Sequence, residues 1–470
     1  MLRTATNKYE TDMTKGNLLP KMIAFALPVV LTSILGLLYN TADMVVVGQF
    51  LGSDAIGAVG ATTSVNSMLT FFASGLSGGA GIALTYAFGA KNDALGNGIL
   101  HTSMLLSAII GLVIGLVGFF CSEPLLVLMK TPDIQLKDAV DYLKIICLGY
   151  PLNMISNFGG SMLRGTGDVK RPLIYNTISG VLNVICNVIF VAVFALGVKG
   201  VAFATILSQG VSAFCVVVTL LKNTGFIRLK LGKLKIDPTA LKMILKYGVP
   251  SGIQLSLFSL CSVILQSTIN GFGKEVVNSS AISQQIELYI YALMSAIITT
   301  TGTGVGQNFG AKDFARIKKC YRLSNIMMVI VGATAGLIVI IFNKQICKIF
   351  INGTDSPEQA DIIFGLVKER LLIVAATYFI DGLFESGAAA LRGIGYSFTS
   401  MLIVLVGTCF FRIAWIYLIF PLYPTLWFLY MLYPASYVVT LIAICITFKL
   451  KLGKEENIYK QSLIGAAISK

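Results

Sequence analysis

The sequence predicts an all-α integral membrane protein with twelve transmembrane helices in two six-helix bundles related by pseudo-two-fold symmetry. Three observations carry this. Hydrophobic residues make up 56% of the chain and charged residues 12%, with a mean hydropathy of +0.81. A water-soluble chain carries about a quarter charged residues, so this one must be solvated by lipid. Apolar runs of the ~20 residues needed to cross a ~30 Å hydrocarbon core recur along its length. Finally, landmarks repeat at a near-constant offset. Phe88-Gly89-Ala90-Lys91 returns as Phe309-Gly310-Ala311-Lys312 after 221 residues, Pro28 as Pro250 after 222, and Leu163-Arg164-Gly165-x-Gly167 as Leu391-Arg392-Gly393-x-Gly395 after 228. Two homologous halves follow, and in membrane proteins such halves commonly form a substrate site at their interface.

In chain order, a polar N-terminal segment covers 1–19 and is too polar and basic for a cleavable leader. The first half, 20–221, holds runs at 20–48, 53–88, 95–121, 135–162, 171–196 and 199–221. A basic linker, 222–238, leads to the second half, 239–450, with runs at 239–271, 275–308, 319–343, 358–391, 394–421 and 425–450. A tail, 451–470, closes the chain. Several runs exceed the minimum length, so tilt or extension beyond the bilayer is expected. Pro28 and Pro250 occupy equivalent positions in the first run of each half, where a proline removes a helical hydrogen bond and permits a bend. The small-residue stretch Gly75-Leu76-Ser77-Gly78-Gly79-Ala80-Gly81 reads as close helix packing. It lacks the Lys-Ser/Thr of a phosphate loop.

An even number of spans per half starts both halves on the same side, so the repeats are parallel. Of the 36 Lys and Arg residues, 26 fall on the side of the N-terminus, the linker and the C-terminus and 8 on the other, with Lys144 and Arg412 inside spans. By the positive-inside rule both termini and the linker are cytoplasmic. The net charge of +14 is therefore read as orientation, with no nucleic-acid partner. The nine cysteines lie mostly in apolar runs and read as small buried residues. Asn278-Ser279-Ser280 and Asn352-Gly353-Thr354 match glycosylation acceptors, a pattern frequent by chance.

Charges near mid-bilayer cost about 2.5–3.5 kcal/mol each. Those counted as deep are Asp43, Glu287, Asp381, Glu385 and Arg412. Facing lipid together they would cost about 12–17 kcal/mol, so they face the protein interior. Asp43, the paired Asn183 and Asn187 one turn apart, and Thr205 supply a carboxylate and neutral oxygens suited to a small hard cation, or a proton-binding carboxylate. Helix capping by Asp43 and interhelical hydrogen bonding by the asparagines are the structural alternative. Asp381 and Glu385 lie four apart on one helix face, where two carboxylates repel unless a proton or cation intervenes. Arg412 is the expected partner, with Glu287 competing for it, or else a structural ion pair holds spans together. Gln254, Gln266, Gln284 and Gln285 add polar lining. Tyr39, Tyr150, Met154, Tyr289 and Met294 suit flat cations, or simply pack helices. The single histidine, His101, is read as an interfacial residue rather than a proton relay.

Phe25-Ala26-Leu27-Pro28, Tyr39-Asn40-Thr41-Ala42-Asp43, Val47-Gly48 and Leu51-Gly52 resemble the opening of MATE (multidrug and toxic compound extrusion) transporters. So do Gly89-Ala90-Lys91, Leu163-Arg164-Gly165-Thr166-Gly167-Asp168, Gly310-Ala311-Lys312 and Leu391-Arg392-Gly393. The resemblance runs from about residue 15 to 450 and is closest to the bacterial DinF-like branch. It implies a V-shaped pair of bundles and alternating access. It also implies export of organic cations, or other xenobiotics, coupled to inward Na⁺ or H⁺ flow, with no further cofactor.

The family's first-span aspartate falls on Asp43, where Na⁺ is one candidate ligand, and its sixth-span threonine on Thr205. The fifth-span Asn…Asp pair falls on Asn183 and Asn187, so the second charge is absent. The tenth-span aspartate of one branch falls on Asp381, while that branch's seventh-span glutamate falls near Phe258. Glu385 or Glu287 would have to supply the missing charge.

The coupling set is thus Asp43, Asn183, Asn187, Thr205, Asp381 and Glu385. The substrate wall is Tyr39, Asn40, Tyr150, Met154, Gln284, Gln285, Glu287 and Arg412, and the hinges are Pro28 and Pro250. The expected protein is a monomer in the bacterial inner membrane, acting on small, cationic molecules in contact with the lipid bilayer. The alternative of the same superfold is a lipid-linked oligosaccharide flippase. An anionic phosphate cargo calls for several deep basic residues, and Arg412 is the one the sequence offers. An enzyme would need a nucleophile, a metal or an acid–base set; there is no HExxH and one histidine.

Overall fold

The computed structural model describes residues 9–350 and 357–468. Residues 1–8 of the polar N-terminal segment and the triplet at Asn352 lie outside the described residues. Among those described there is no strand, and the long helices follow the apolar runs.

The first six are α1 (Leu18–Leu51), α2 (Ser53–Gly89), α3 (Asp93–Leu128), α4 (Asp133–Gly165), α5 (Lys170–Val188) and α6 (Gly197–Lys222). The second half begins with α7 (Pro238–Asn270), α8 (Lys274–Gly310) and α9 (Phe314–Ile341), followed by a short α10 (Asn343–Cys347). The tenth span, 358–391, is not one continuous helix. It is broken into α11 (Pro357–Ile373) and α12 (Tyr378–Gly393) by a 3₁₀ turn at Ala375–Thr377. Two glycines of α9 admit the break: a Cβ on Gly336 would lie 2.4 Å from the Ala375 carbonyl, and one on Gly332 2.8 Å from Phe379 Cα.

The eleventh span is also irregular. It runs α13 (Ser397–Val404), a π-helical turn at Leu405–Phe410, α14 (Phe411–Ala414) and a second π turn at Trp415–Ile419. α15 (Leu426–Tyr430) and α16 (Leu432–Ile468) close the fold, and α16 continues as helix through most of the predicted tail. Ten helical stretches among the described residues are long and apolar enough to cross a membrane by length and composition, among them the composite segments Ser397–Leu422 and Leu426–Ile464. The other two predicted spans are α4, whose first turns carry Asp133, Lys137, Asp138, Asp141 and Lys144, and the broken α11–α12.

The sequence repeat is a repeat of local geometry. α2 and α8 each have 37 residues and follow a positive-φ glycine, Gly52 (φ 82°) and Gly273 (φ 101°). Each is followed, two residues past its end, by a residue with left-handed φ, Lys91 (52°) and Lys312 (60°). In both, the next residue's N–H returns to the carbonyl five residues back, Asn92 to Ala87 and Asp313 to Asn308, each at 3.0 Å. That residue's side chain also caps the following helix, Asn92 accepting from Leu95 N–H and Asp313 from Arg316 N–H. Gly167 (φ 89°) and Gly395 (φ 95°) close α4 and α12 by the same left-handed device.

The chain divides into two compact units. One holds Ile23–Leu255 with the segment ending at Lys15, and the other runs from Ser256 onward with Gly16–Met22. The division falls inside α7, not at the linker, because the start of α7 packs on α2 in the first unit. A Cβ on Gly75 would lie 2.4 Å from Gly252 Cα, and one on Gly79 2.2 Å from Gly248 Cα. The glycine run therefore packs helices closely, as its composition predicts.

The linker is stitched to the first unit. Lys230 N–H donates to His101 Nε2 at 3.1 Å, and His101 Nδ1 bonds Asn97 O at 2.6 Å. Asp237 N–H donates to Thr102 Oγ1 at 3.0 Å, and Arg228 N–H to Asn97 Oδ1 at 3.0 Å. His101 is 6% exposed. It is a buried tie to the linker.

Candidate functional site

In the first unit, polar side chains from three helices meet among apolar ones. Asp43 stands one helical turn after Tyr39 on α1. The Tyr39 ring fills the space left by Gly180 of α5, where a Cβ would be 1.9 Å from Cε2, and its hydroxyl donates to Thr177 O at 3.3 Å. That contact brings Asp43 to Asn183 and Asn187, which follow Gly180 along α5. Ser179 Oγ donates to Ser208 O at 2.7 Å and holds α5 to α6.

The result is a continuous chain of hydrogen bonds. Asn187 Nδ2 donates to Asp43 Oδ1 and, at 3.3 Å, to Asn183 Oδ1. Asn183 Nδ2 is 3.5 Å from Thr205 Oγ1, whose own proton goes to Val201 O at 3.0 Å. Asn183 and Asn187 are 6% and 0% exposed, while Asp43 and Thr205 are half-buried. Asn187 Oδ1 is buried with no hydrogen-bond partner. The structure thus gathers the four side chains that the sequence proposed as a set, with an acceptor left over. Chemically they offer one carboxylate and neutral oxygens, a donor set that a hard monovalent cation or a proton fits. A π-helical turn at Ile189–Val193 follows Asn187 directly, a distortion frequent beside functional residues.

The second unit has a denser charge cluster, and it corrects the expected pairing. Glu287 on α8 pairs with Arg370 of α11, not with Arg412. Arg370 Nε and Nη2 donate to its two carboxylate oxygens at 2.8 and 3.0 Å. Arg370 Nη1 donates to Ser280 Oγ at 2.7 Å, and the guanidinium lies 5.3 and 5.6 Å from the Tyr430 and Tyr433 ring centres. The residue is 1% exposed. Arg412 has no ion pair among the described residues. It donates to Ser436 Oγ at 3.1 Å and lies over Tyr433 and Tyr437, 4.7 and 5.4 Å from their centres. Two π turns flank it.

Asp381 and Glu385 are 9% and 8% exposed. Glu385 faces Arg392 at 3.9 Å, whereas Asp381 has neither hydrogen bond nor ion pair among the described residues. Arg370 is therefore a second deep basic residue in addition to Arg412. Lys368 and Glu369 beside Arg370 make the segment read as a polar span end. The available signal was Glu287 itself, since an acid in mid-span needs a base.

The proposed substrate wall is spread over different settings. Tyr150 (2% exposed) and Met154 (0%) pack in the apolar core of the first unit with Leu76, Leu100 and Phe158. Tyr39 is half-buried and Asn40 exposed. In the second unit Gln284 and Gln285 are exposed, and Gln284 Nε2 donates to Gln266 Oε1 at 2.9 Å. Pro28 and Pro250 are buried inside continuous helices, α1 and α7. No group of three His, Cys, Asp or Glu side chains placed to hold a metal ion occurs among the described residues.

Comparison with known proteins agrees in extent with this two-unit architecture. Residues 28–189 and 250–418 match the model of the MatE family. The chain is 26% identical over 383 residues to the "Probable multidrug resistance protein YpnP" of Bacillus subtilis (strain 168), covering 81% of this chain and 85% of that one. It is 24% identical over 392 residues to the "Multidrug export protein MepA" of Staphylococcus saprophyticus, covering 83% and 82%. A solved structure described as the outward-facing conformation of a multidrug resistance MATE family transporter of the MOP superfamily superposes with a TM-score of 0.89. The identity is 21%, and the match covers 97% of this chain and 100% of that chain.

Proposed function

The chain belongs to the MatE family of membrane transporters, and on that premise we propose that it exports small, cationic drug-like molecules by antiport against H⁺ or Na⁺. The observation that carries this reading is the connected set Asp43, Asn187, Asn183 and Thr205, with the unpartnered oxygen of Asn187. A coupling cation bound there ties α1 to α5 and α6, and its release frees α1 to move. In this scheme, ion entry and substrate exit alternate on one scaffold. Pro28 and Pro250 serve as bend points where the helical ladder lacks a bond. Asp381, buried and without an ion pair, is the second acidic position and supplies a counter-charge for a cationic substrate. Glu385 acts with it, held off by Arg392.

Multidrug export by YpnP and MepA, as their names state it, supports the substrate class. The excess of Lys and Arg on one side supports a bacterial inner-membrane protein with both termini cytoplasmic, and a monomer is the working unit. A flippase for lipid-linked oligosaccharides gains little from the second deep arginine. Arg370 is already neutralised by Glu287 and offers no free charge to a phosphate.

The test is efflux of a fluorescent organic cation from proteoliposomes under separately imposed Na⁺ and pH gradients. Antiport requires that one gradient accelerate efflux and that collapsing it stop the acceleration. Efflux indifferent to both gradients overturns the reading.

A further inference from the structure

The repeat is symmetric in its landmarks and asymmetric in its charges, and one asymmetry leaves a charge unbalanced. The offset of 228 that relates Arg164 to Arg392 also relates Asn157 to Glu385 and Asn153 to Asp381. In the second unit Arg392 has Glu385 at 3.9 Å, one helix face and seven residues away. In the first unit the same place on α4 is an amide. Asn157 Nδ2 donates to Asn153 O and Oδ1, both at 3.0 Å, and Arg164 has one hydrogen bond, from Nη2 to Ser161 Oγ at 2.8 Å.

Among the described residues no carboxylate replaces the missing one. Asp168, the nearest acid in sequence, is committed to Arg171 through both oxygens. Arg164 has no ion pair among the described residues. It borders a cavity of about 40 Å³, lined also by Ser156, Asn157, Tyr175, Asn176 and Ser212. Gly160 keeps room for the guanidinium, since a Cβ there would lie 3.4 Å from Nη1.

We propose that this cavity is a binding site for a small monovalent anion of halide size, which takes the place held by Glu385 in the other half. Arg164 is half-buried, and a guanidinium partly withdrawn from water favours an opposite charge beside it. Arg keeps donors in hand beyond the one used on Ser161, and the Asn176 amide borders the same space. Ser156 and Ser212 share one hydrogen bond at 2.8 Å, which leaves one hydroxyl proton of the two to donate, while Tyr175 bonds Thr219. The volume is that of about three water positions at ~10–15 Å³ each. It therefore admits a chloride or bromide and excludes a bulky organic anion. The site is separate from the Asp43 set and does not depend on the direction or coupling of transport.

The test uses the whole purified protein in detergent, with gluconate replaced by chloride or bromide at constant ionic strength. In the wild type, halide should raise Tm with the logarithm of its concentration above Kd, by about 5–10 °C at one hundred times Kd. Asn157→Glu restores the carboxylate that Arg392 has. It should raise Tm in gluconate and abolish the halide response. Arg164→Gln should also abolish that response, and if it fails to accumulate, Asn157→Glu decides alone. Crystals grown in bromide should show an anomalous peak beside Arg164. An equal halide effect in wild type and Asn157→Glu means a general salt effect and overturns the proposal, as does a wild type indifferent to halide.

Discussion

Replacing Glu287 by glutamine keeps the shape of the side chain and removes the charge that two nitrogens of Arg370 address at 2.8 and 3.0 Å. Arg370 is 1% exposed, so its charge cannot turn to water. Its remaining contacts are one hydroxyl at 2.7 Å, a longer one at 3.4 Å and two ring faces. Breaking a buried pair from one side costs about 3–5 kcal/mol, whereas replacing both partners by neutral groups is often close to neutral. For a unit of this size, 1 kcal/mol is about 2–4 °C in Tm. Glu287→Gln and Arg370→Met should therefore each lower Tm by roughly 6–20 °C, and the double variant should recover most of the loss. Thermal unfolding of the four purified proteins in detergent gives the full cycle. Single variants that melt within a degree of wild type, or a double variant no better than the worse single, would refute the pairing as the reason both charges are tolerated.

Other positions give independent checks. Gly79→Val places a Cβ 2.2 Å from Gly248 Cα and should cost about 1–3 kcal/mol, read as a lower Tm and yield. Gly78→Ala, with nothing within 4 Å of the added carbon, should leave both unchanged. His101→Leu removes the acceptor of Lys230 N–H, loosening the linker by about 1–2 kcal/mol. Trypsin should then cut at Arg228, Lys230 or Lys233 roughly tenfold faster, and unchanged cleavage would show that the tie is not needed.

The spans and the duplication were legible because both rest on local physics. Hydrocarbon demands runs of apolar residues, and a helix that must stop sharply needs a left-handed residue at its end. Gly89-Ala90-Lys91 and Gly310-Ala311-Lys312 therefore announce themselves in both halves. The grouping of Asp43 with Asn183, Asn187 and Thr205 was legible because polar side chains in lipid must find one another.

Tertiary packing was less visible. The unit boundary lies within α7 because Gly248 and Gly252 meet Gly75 and Gly79, and no composition change marks it. The break before Asp381 depends on two glycines of a neighbouring helix. Arg370 sits in a charged stretch, and only its fold-level meeting with Glu287, 83 residues away in sequence, reveals it as buried. Tyr150 and Met154 have the residue types of an aromatic cage, yet type alone cannot distinguish a cavity wall from a core.

If Asp43 holds the coupling ion, Asp43→Asn is the decisive substitution. The substitution keeps the side chain's size and lets it still accept from Asn187, so folding should survive. Fluorescent-cation efflux from proteoliposomes should then lose its acceleration by the Na⁺ or pH gradient, with Tm close to wild type. Gradient-driven efflux that persists at the wild-type rate in a well-folded Asp43→Asn protein would rule out Asp43 as the coupling site.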